Sequence, residues 1–168
     1  MNPGKKGFTL IELVVVVLLI GLTMVLSVPR LRYAMLTDDL RGTVRRMVGT
    51  VRTLRNEAIR EQKVYALHFD LESNRLWADS ADMTDEERIE AHQKAFQLPK
   101  GVRVLDVWRS GKGKEVAGEA VIRFTKKGYM EQSVIHLGAE DGRRFTLIFS
   151  PFLRRVKVLE EYIEFVDI

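Results

Sequence analysis

The chain has no cysteine and only three histidines among its 168 residues. Disulfides, thiol catalysis and structural zinc held by cysteine are excluded. A cysteine-free domain also suits export to an oxidising compartment. His68, His92 and His136 are scattered, and none has a partner at i+3 or i+4 in a zinc-like pattern. No metal and no cofactor are expected. Ser110-Gly-Lys-Gly-Lys lacks the spacing of a phosphate loop, and no helical pattern follows it. Residues 110–118 read as a mobile loop between strands. Asp79, Asp82 and Asp85 recur every third residue, without the closer alternation and the glycine of a calcium loop. Helix capping and solvation account for them. Repeats and low-complexity tracts are absent, and no catalytic constellation stands out. The chain reads as a non-enzyme.

Charge of one sign is also scarce. The net charge is +4, and half of that excess is Lys5 and Lys6. Arg143, Arg144, Arg154, Arg155 and Lys157 cluster near the C-terminus, but adjacent strand residues point to opposite faces, and Glu160, Glu161 and Glu164 follow closely. Nucleic acid is therefore not an expected partner. With 30% charged and 46% hydrophobic residues, the composition suits one folded body plus an N-terminal segment rather than disorder.

What the chain does have is one long apolar run. From Phe8 to Val28 the only charge is Glu12. As a helix this run would span about 31 Å, the thickness of a bilayer's hydrocarbon core. A carboxylate costs roughly 2.5–3.5 kcal/mol at the centre of such a span and less near its edge, so Glu12 needs a compensating partner. Lys5 and Lys6 precede the run and no acid does, which keeps the N-terminus cytoplasmic and sends the rest across. Ser27-Val28-Pro29-Arg30 is a poor match to a signal-peptide cleavage site, and the run is longer than a usual signal core.

Gly7 to Leu13 reads GFTLIEL. It resembles the processing site of type IV prepilins and type II secretion pseudopilins. The resemblance implies cleavage by prepilin peptidase between Gly7 and Phe8, N-methylation of Phe8, and Glu12 as the assembly carboxylate. Pro29 falls where these proteins commonly carry a helix-kinking proline. The residues agree with this on physical grounds. Phe8 and Glu12 are one helical turn apart on one face, so the carboxylate can meet the new terminal ammonium of its own chain or of a neighbour.

Beyond Pro29 the pattern becomes amphipathic. Tyr33, Leu36, Leu40, Val44, Met47, Val51, Leu54 and Ala58 recur at intervals of three and four, an apolar stripe that needs a partner. One helix from Phe8 to about Gln62 is expected. A hairpin follows at 64–70 and 76–79, and Thr84 with Glu87 forms a capping box for a short helix to about Lys94. Further strands are expected at 102–108, 119–125, 133–137, 144–149, 153–159 and 161–166. The fold class is α+β: a long N-terminal helix packed on antiparallel sheet, pilin-like. The organisation implied is a cleaved leader (1–7), a transmembrane and polymerisation helix (8–28), its amphipathic continuation (29–62) and a β-rich periplasmic domain (63–168).

LRNEAIREQKVYALHFD (54–70) and IRFTKKGYM (122–130) resemble the H-type minor pseudopilin of type II secretion and the related minor pilin of type IV pili. Where that family often carries Gly-Arg near its end, this chain has Phe152-Leu153-Arg154-Arg155. The resemblance implies a single-pass protein of the bacterial inner membrane, assembled near the tip of a periplasmic pseudopilus. Its implied partners are prepilin peptidase, other major and minor pseudopilins, the inner membrane and secreted exoproteins. A type IV pilus minor pilin, serving pilus assembly or DNA uptake, is the alternative. An anchored binding protein that is never processed is a third reading.

Overall fold

The computed structural model describes residues 9–151 and 156–165, with side chains described outside 25–38. The chain forms two units, Met1–Met35 and Leu36–Ile168. Helix α1 (Leu10–Glu61) is helical through Pro29. It ends at Gln62, which takes a left-handed conformation (φ 54°) and donates from its amide to the Ile59 carbonyl at 2.8 Å. Such an ending satisfies a carbonyl that the last helical turn leaves without a partner.

In the second unit the apolar stripe does what its spacing predicts. Leu40, Val44, Met47, Val51, Leu54 and Ala58 are all buried. Tyr33 and Leu36 lie outside the residues whose side chains are described. The stripe enters one core with two antiparallel sheets. The first sheet has the order β3-β2-β1-β6, from β1 (Tyr65–Asp70), β2 (Arg75–Ser80), β3 (Phe96–Gln97) and β6 (Glu119–Phe124). Leu67 and Phe69, Leu76, and Ala120, Ile122 and Phe124 face inward at every second position. The second sheet has the order β5-β4-β7-β8-β9, from β4 (Val102–Arg109), β5 (Gly113–Glu115), β7 (Ser133–Ala139), β8 (Arg144–Phe149) and β9 (Lys157–Leu159). Its inward residues include Val104, Val107, Ile135, Leu137, Phe145, Leu147 and Phe149. Asn74 ties the sheets together: at the β1–β2 turn it donates to the Val102 carbonyl at 2.6 Å and accepts from the Val104 amide at 3.1 Å.

Helix α2 (Asp85–Gln93) opens with the capping box read from the sequence. Thr84 Oγ1 accepts from the Glu87 amide at 3.3 Å, and the Glu87 carboxylate accepts from the Thr84 amide at 2.8 Å.

Three sequence expectations are corrected. Residues 110–118 are not simply a mobile loop, because Gly113–Glu115 forms β5 and pairs with β4. Gly111 and Gly113, both at φ 76°, fold the chain back, and the Arg109 guanidinium grips the Glu115 carboxylate with two bonds of 2.7 Å. Of the strand expected at 153–159, Lys157–Leu159 forms and Val156 stays outside it, while 152–155 lie outside the described residues. Residues 161–165 form no strand. Their backbone is held by side chains instead of a ladder: Thr146 Oγ1 donates to the Glu161 carbonyl at 2.6 Å and accepts from the Ile163 amide at 3.1 Å.

Strand β4 also breaks its alternation. A bulge lies between Val104 and Asp106. Without it, positions 102, 104, 106 and 108 would share the core face. With it, Val107 turns to the core, and Asp106 faces away from it toward the 161–165 segment.

Candidate assembly and processing site

Gly7 and Phe8 lie outside the described residues, so the cleavage expected between them has no geometry here. Glu12 sits in the first turn of α1. Its amide donates to the Thr9 carbonyl at 3.2 Å and reaches Thr9 Oγ1 at 3.4 Å. A carboxylate in a first helical turn is favoured by the dipole of the helix, a role separate from any contact with a neighbour.

The residues around Glu12 are apolar on every side. Leu10 is 84% exposed and Leu18 68%, and Ile11, Leu13, Val14 to Ile20, Leu22 and Met24 are exposed as well. A helix that is apolar all round and bare belongs in a lipid phase or a protein core. Within the run, Thr23 Oγ1 donates to the Ile20 carbonyl at 2.8 Å. Among the described residues no helix is long and apolar enough to cross a membrane. The sequence run extends from Phe8 to Val28, past the side chains described at both ends.

The family model for the prokaryotic N-terminal methylation motif matches residues 2–28. The chain thus carries the N-methylation motif of type IV pilin-like proteins. No curated protein matches it in sequence. The crystal structure of the minor pseudopilin EPSH from the type II secretion system of Vibrio cholerae matches the body with a TM-score of 0.53, at 12% identity, over 76% of this chain and 97% of that one. The two share a fold. A second structure of EpsH from the same secretion system matches with a TM-score of 0.48 at 13% identity, over 69% of this chain and 99% of that one. At this identity the likeness speaks of the pseudopilin fold alone.

In the body, the structure assembles polar groups that the sequence leaves scattered. His136 is 1% exposed. Its Nδ1 lies 2.5 Å from Asp106 Oδ1 and its Nε2 lies 2.9 Å from the Ile163 carbonyl. Tyr162 stacks on the imidazole at 4.0 Å and donates to Asp106 Oδ2 at 3.0 Å. Lys114 donates to the Tyr162 hydroxyl, and that contact raises the pKa of the lysine. With Trp108 against Phe165 at 6.0 Å, this cluster straps 161–165 over the outer face of the second sheet. Its buried pair, His136 and Asp106, faces its own chain.

His68 sits on the outer face of the first sheet. It stacks on Trp77 at 5.1 Å, and Trp77 meets His92 edge-on at 4.6 Å. Its Nδ1 is 2.5 Å from Glu119, while its Nε2 lies 3.2 Å from Asp79 without the alignment of a hydrogen bond. Among the described residues no group of three or more His, Asp or Glu side chains is placed to hold a metal ion. Buried Arg109 pairs with Glu115, lies 3.5 Å from Glu131, and donates to the Val121 carbonyl at 2.5 Å, joining the two sheets. No periodicity marks this arginine in the sequence. Its contacts come from three separate segments.

Proposed function

We propose that the chain is a structural assembly subunit: a minor pseudopilin of a type II secretion system, matured by prepilin peptidase and built into a periplasmic pseudopilus near its tip. The observation that carries this reading is the single carboxylate, Glu12, in the first turn of a bare apolar helix inside a match to the methylation motif. The shared fold with a minor pseudopilin supports the same reading for the body.

In this reading prepilin peptidase cuts between Gly7 and Phe8 on the cytoplasmic face and methylates Phe8. The new secondary ammonium stays protonated near neutral pH. Glu12, one turn away, neutralises that charge or the equivalent charge of an axially staggered neighbour, which offsets part of the penalty of holding either ion out of water. The apolar helices form the filament interior and the bodies its surface. The body stays periplasmic, anchored to the inner membrane before assembly, and works by packing rather than by catalysis. Its partners are the other pseudopilins and, through the filament, secreted exoproteins.

A type IV pilus minor pilin is a second reading, because the motif matched at 2–28 is not specific to secretion. Intact-mass measurement on the protein from its own host tests the common core of both. The expected mass lacks Met1 to Gly7 and gains one methyl group, and Gly7→Val leaves the full-length precursor in the membrane. An uncut wild-type N-terminus overturns the reading.

A further inference from the structure

A nine-residue helix is marginal by itself and ordinarily gains its stability by laying an apolar face on a core. Helix α2 buries none of its residues. It is held through its capping box at one end and through the contact of His92 with Trp77 at the other. Ile89 is 58% exposed. Glu86, Ile89 and Glu90 follow i, i+3, i+4 spacing and share one face. Arg88 turns back to donate to the Ala81 carbonyl at 3.2 Å. The outward face is therefore acidic, with an isoleucine in its middle and nothing covering it.

The second half of α1 carries the opposite pattern. Arg52, Arg55 and Ile59 line one flank at i, i+3, i+7, and with Asn56 they border a shallow groove. Arg45 extends the flank by two turns, and the positions between, Val48 and Gly49, bring no carboxylate. Ile59 is 44% exposed. Its other side lies against Gly128, where a β-carbon would meet the Ile59 side chain at 2.5 Å.

These two surfaces sit on opposite faces of the first sheet: His92 of α2 meets Trp77 on the outer face, and the α1 stripe packs in the core on the inner face. Helix α2 leads into β3 at one edge, and Gly128 follows β6 at the other. The flanks of α1 confirm the geometry: Arg46 stacks on Phe96 of β3 at 3.7 Å, while Ile59 touches the turn after β6. Within one molecule the acidic helix and the basic flank cannot meet. A second copy displaced across the sheet brings them together.

We propose that α2 of one subunit docks on the α1 flank of a second copy, with Ile89 beside Ile59 and with Glu86 and Glu90 against Arg52. The two patches lie on opposite faces of the first sheet, so the contact is head-to-tail and leads to a ring or an open row. Glu90 exchanges its exposed partner Lys94 for a guanidinium on docking. Exposed ion pairs are individually weak and screened by salt, so the contact needs the high effective concentration of subunits held in one membrane or filament. This inference goes beyond the secretion reading and rests on it only for the membrane that holds the subunits together.

The lack of cysteine makes the test direct. Two differently tagged full-length chains, one Ile59→Cys and the other Ile89→Cys, are co-expressed and oxidised in the membrane. The expected product is a disulfide dimer carrying both tags, with no dimer from either variant alone. Glu86→Arg in the Ile89→Cys copy abolishes it, and Arg52→Glu in the other copy restores it. About 1 M salt, where the Debye length is about 3 Å, also reduces it. Absence of the mixed dimer, equal dimerisation of a single variant, insensitivity to Glu86→Arg, or crosslinking only to a different protein overturns the proposal.

Discussion

Leu105 lies over Gly138 across the β4–β7 pair: a β-carbon at 138 would fall 2.9 Å from Leu105 Cδ2. The bulge residue and the glycine are two halves of one fit. The bulge at Leu105 turns Asp106 toward His136, and Gly138 gives the displaced leucine its space.

A side chain at 138 should therefore disturb more than one contact. Gly138→Val is expected to destabilise the body by about 1–3 kcal/mol through overpacking. Leu105→Ala in the same chain should recover part of that loss, because the two positions share one space. Thermal unfolding of both single variants and the double variant measures the coupling, and strictly additive losses would contradict the fit.

The buried stripe predicts a sharp contrast along α1. Leu54 is 5% exposed in the shared core, and Thr53 beside it is exposed. In a soluble fragment starting near Arg30, Leu54→Asp should cost roughly 3 kcal/mol or more, as an unpaired buried charge does. Thr53→Asp should stay within about 0.5 kcal/mol of wild type. Similar melting temperatures for the two variants would mean that Leu54 is not in the core.

Glu12 is tested apart from processing. Glu12→Ala removes the only charge of the apolar run, so membrane insertion should be unchanged or improved. Cleavage after Gly7 should persist. Incorporation should fall, leaving a mature but poorly assembled subunit, and Glu12→Gln should behave like Glu12→Ala because the amide lacks the charge. Crosslinking to the other pilin-like subunits alongside a secretion assay separates these steps. Wild-type levels of both would remove Glu12 from assembly.

The body should lose stability in acid. Asp141 is held below the usual carboxylate range by hydrogen bonds from the Arg143 guanidinium, with further help from the Arg143 amide. Asp70 is lowered by the Ser73 hydroxyl and the Ser73 and Glu72 amides. A lowered pKa gives stability that is full above the unfolded value, near about 3.9, and lost as pH falls through the folded one. The melting temperature should hold from neutral pH to about 5 and drop below about 4, with a shallower drop in Asp141→Asn. Equal acid slopes for wild type and variant would exclude Asp141 as a contributor.

Much of this fold is legible in the sequence wherever the signal is local. The stripe from Leu40 to Ala58, the β1–β2 hairpin and the Thr84–Glu87 box depend on spacing within a few turns, and they form as read. The misreadings have non-local causes. Alternation cannot show a bulge at Leu105, which depends on Gly138 across the sheet. Residues 161–165 alternate like a strand, yet His136 and Thr146 claim their backbone first. The short strand β5 hides among glycines and needs Arg109 to hold it. In the motif from Gly7 to Leu13 the signal is in the spelling: of its three expected site residues, Gly7 and Phe8 lie outside the described residues and Glu12 falls within them.

The grip of Arg109 on Val121 bears on how neighbours can approach. Among the described residues, three of the four edge strands, β3, β5 and β9, are only two or three residues long. The fourth, β6, is longer, but its Val121 carbonyl already receives the Arg109 guanidinium and its Phe124 bridges back to Met130. Exposed edges of this kind are poor templates for an added strand. Among the described residues the body therefore offers little template for backbone zippering, the route by which crowded β-rich domains coalesce indiscriminately. A neighbour must read its side chains, so the contacts it forms are selective and reversible.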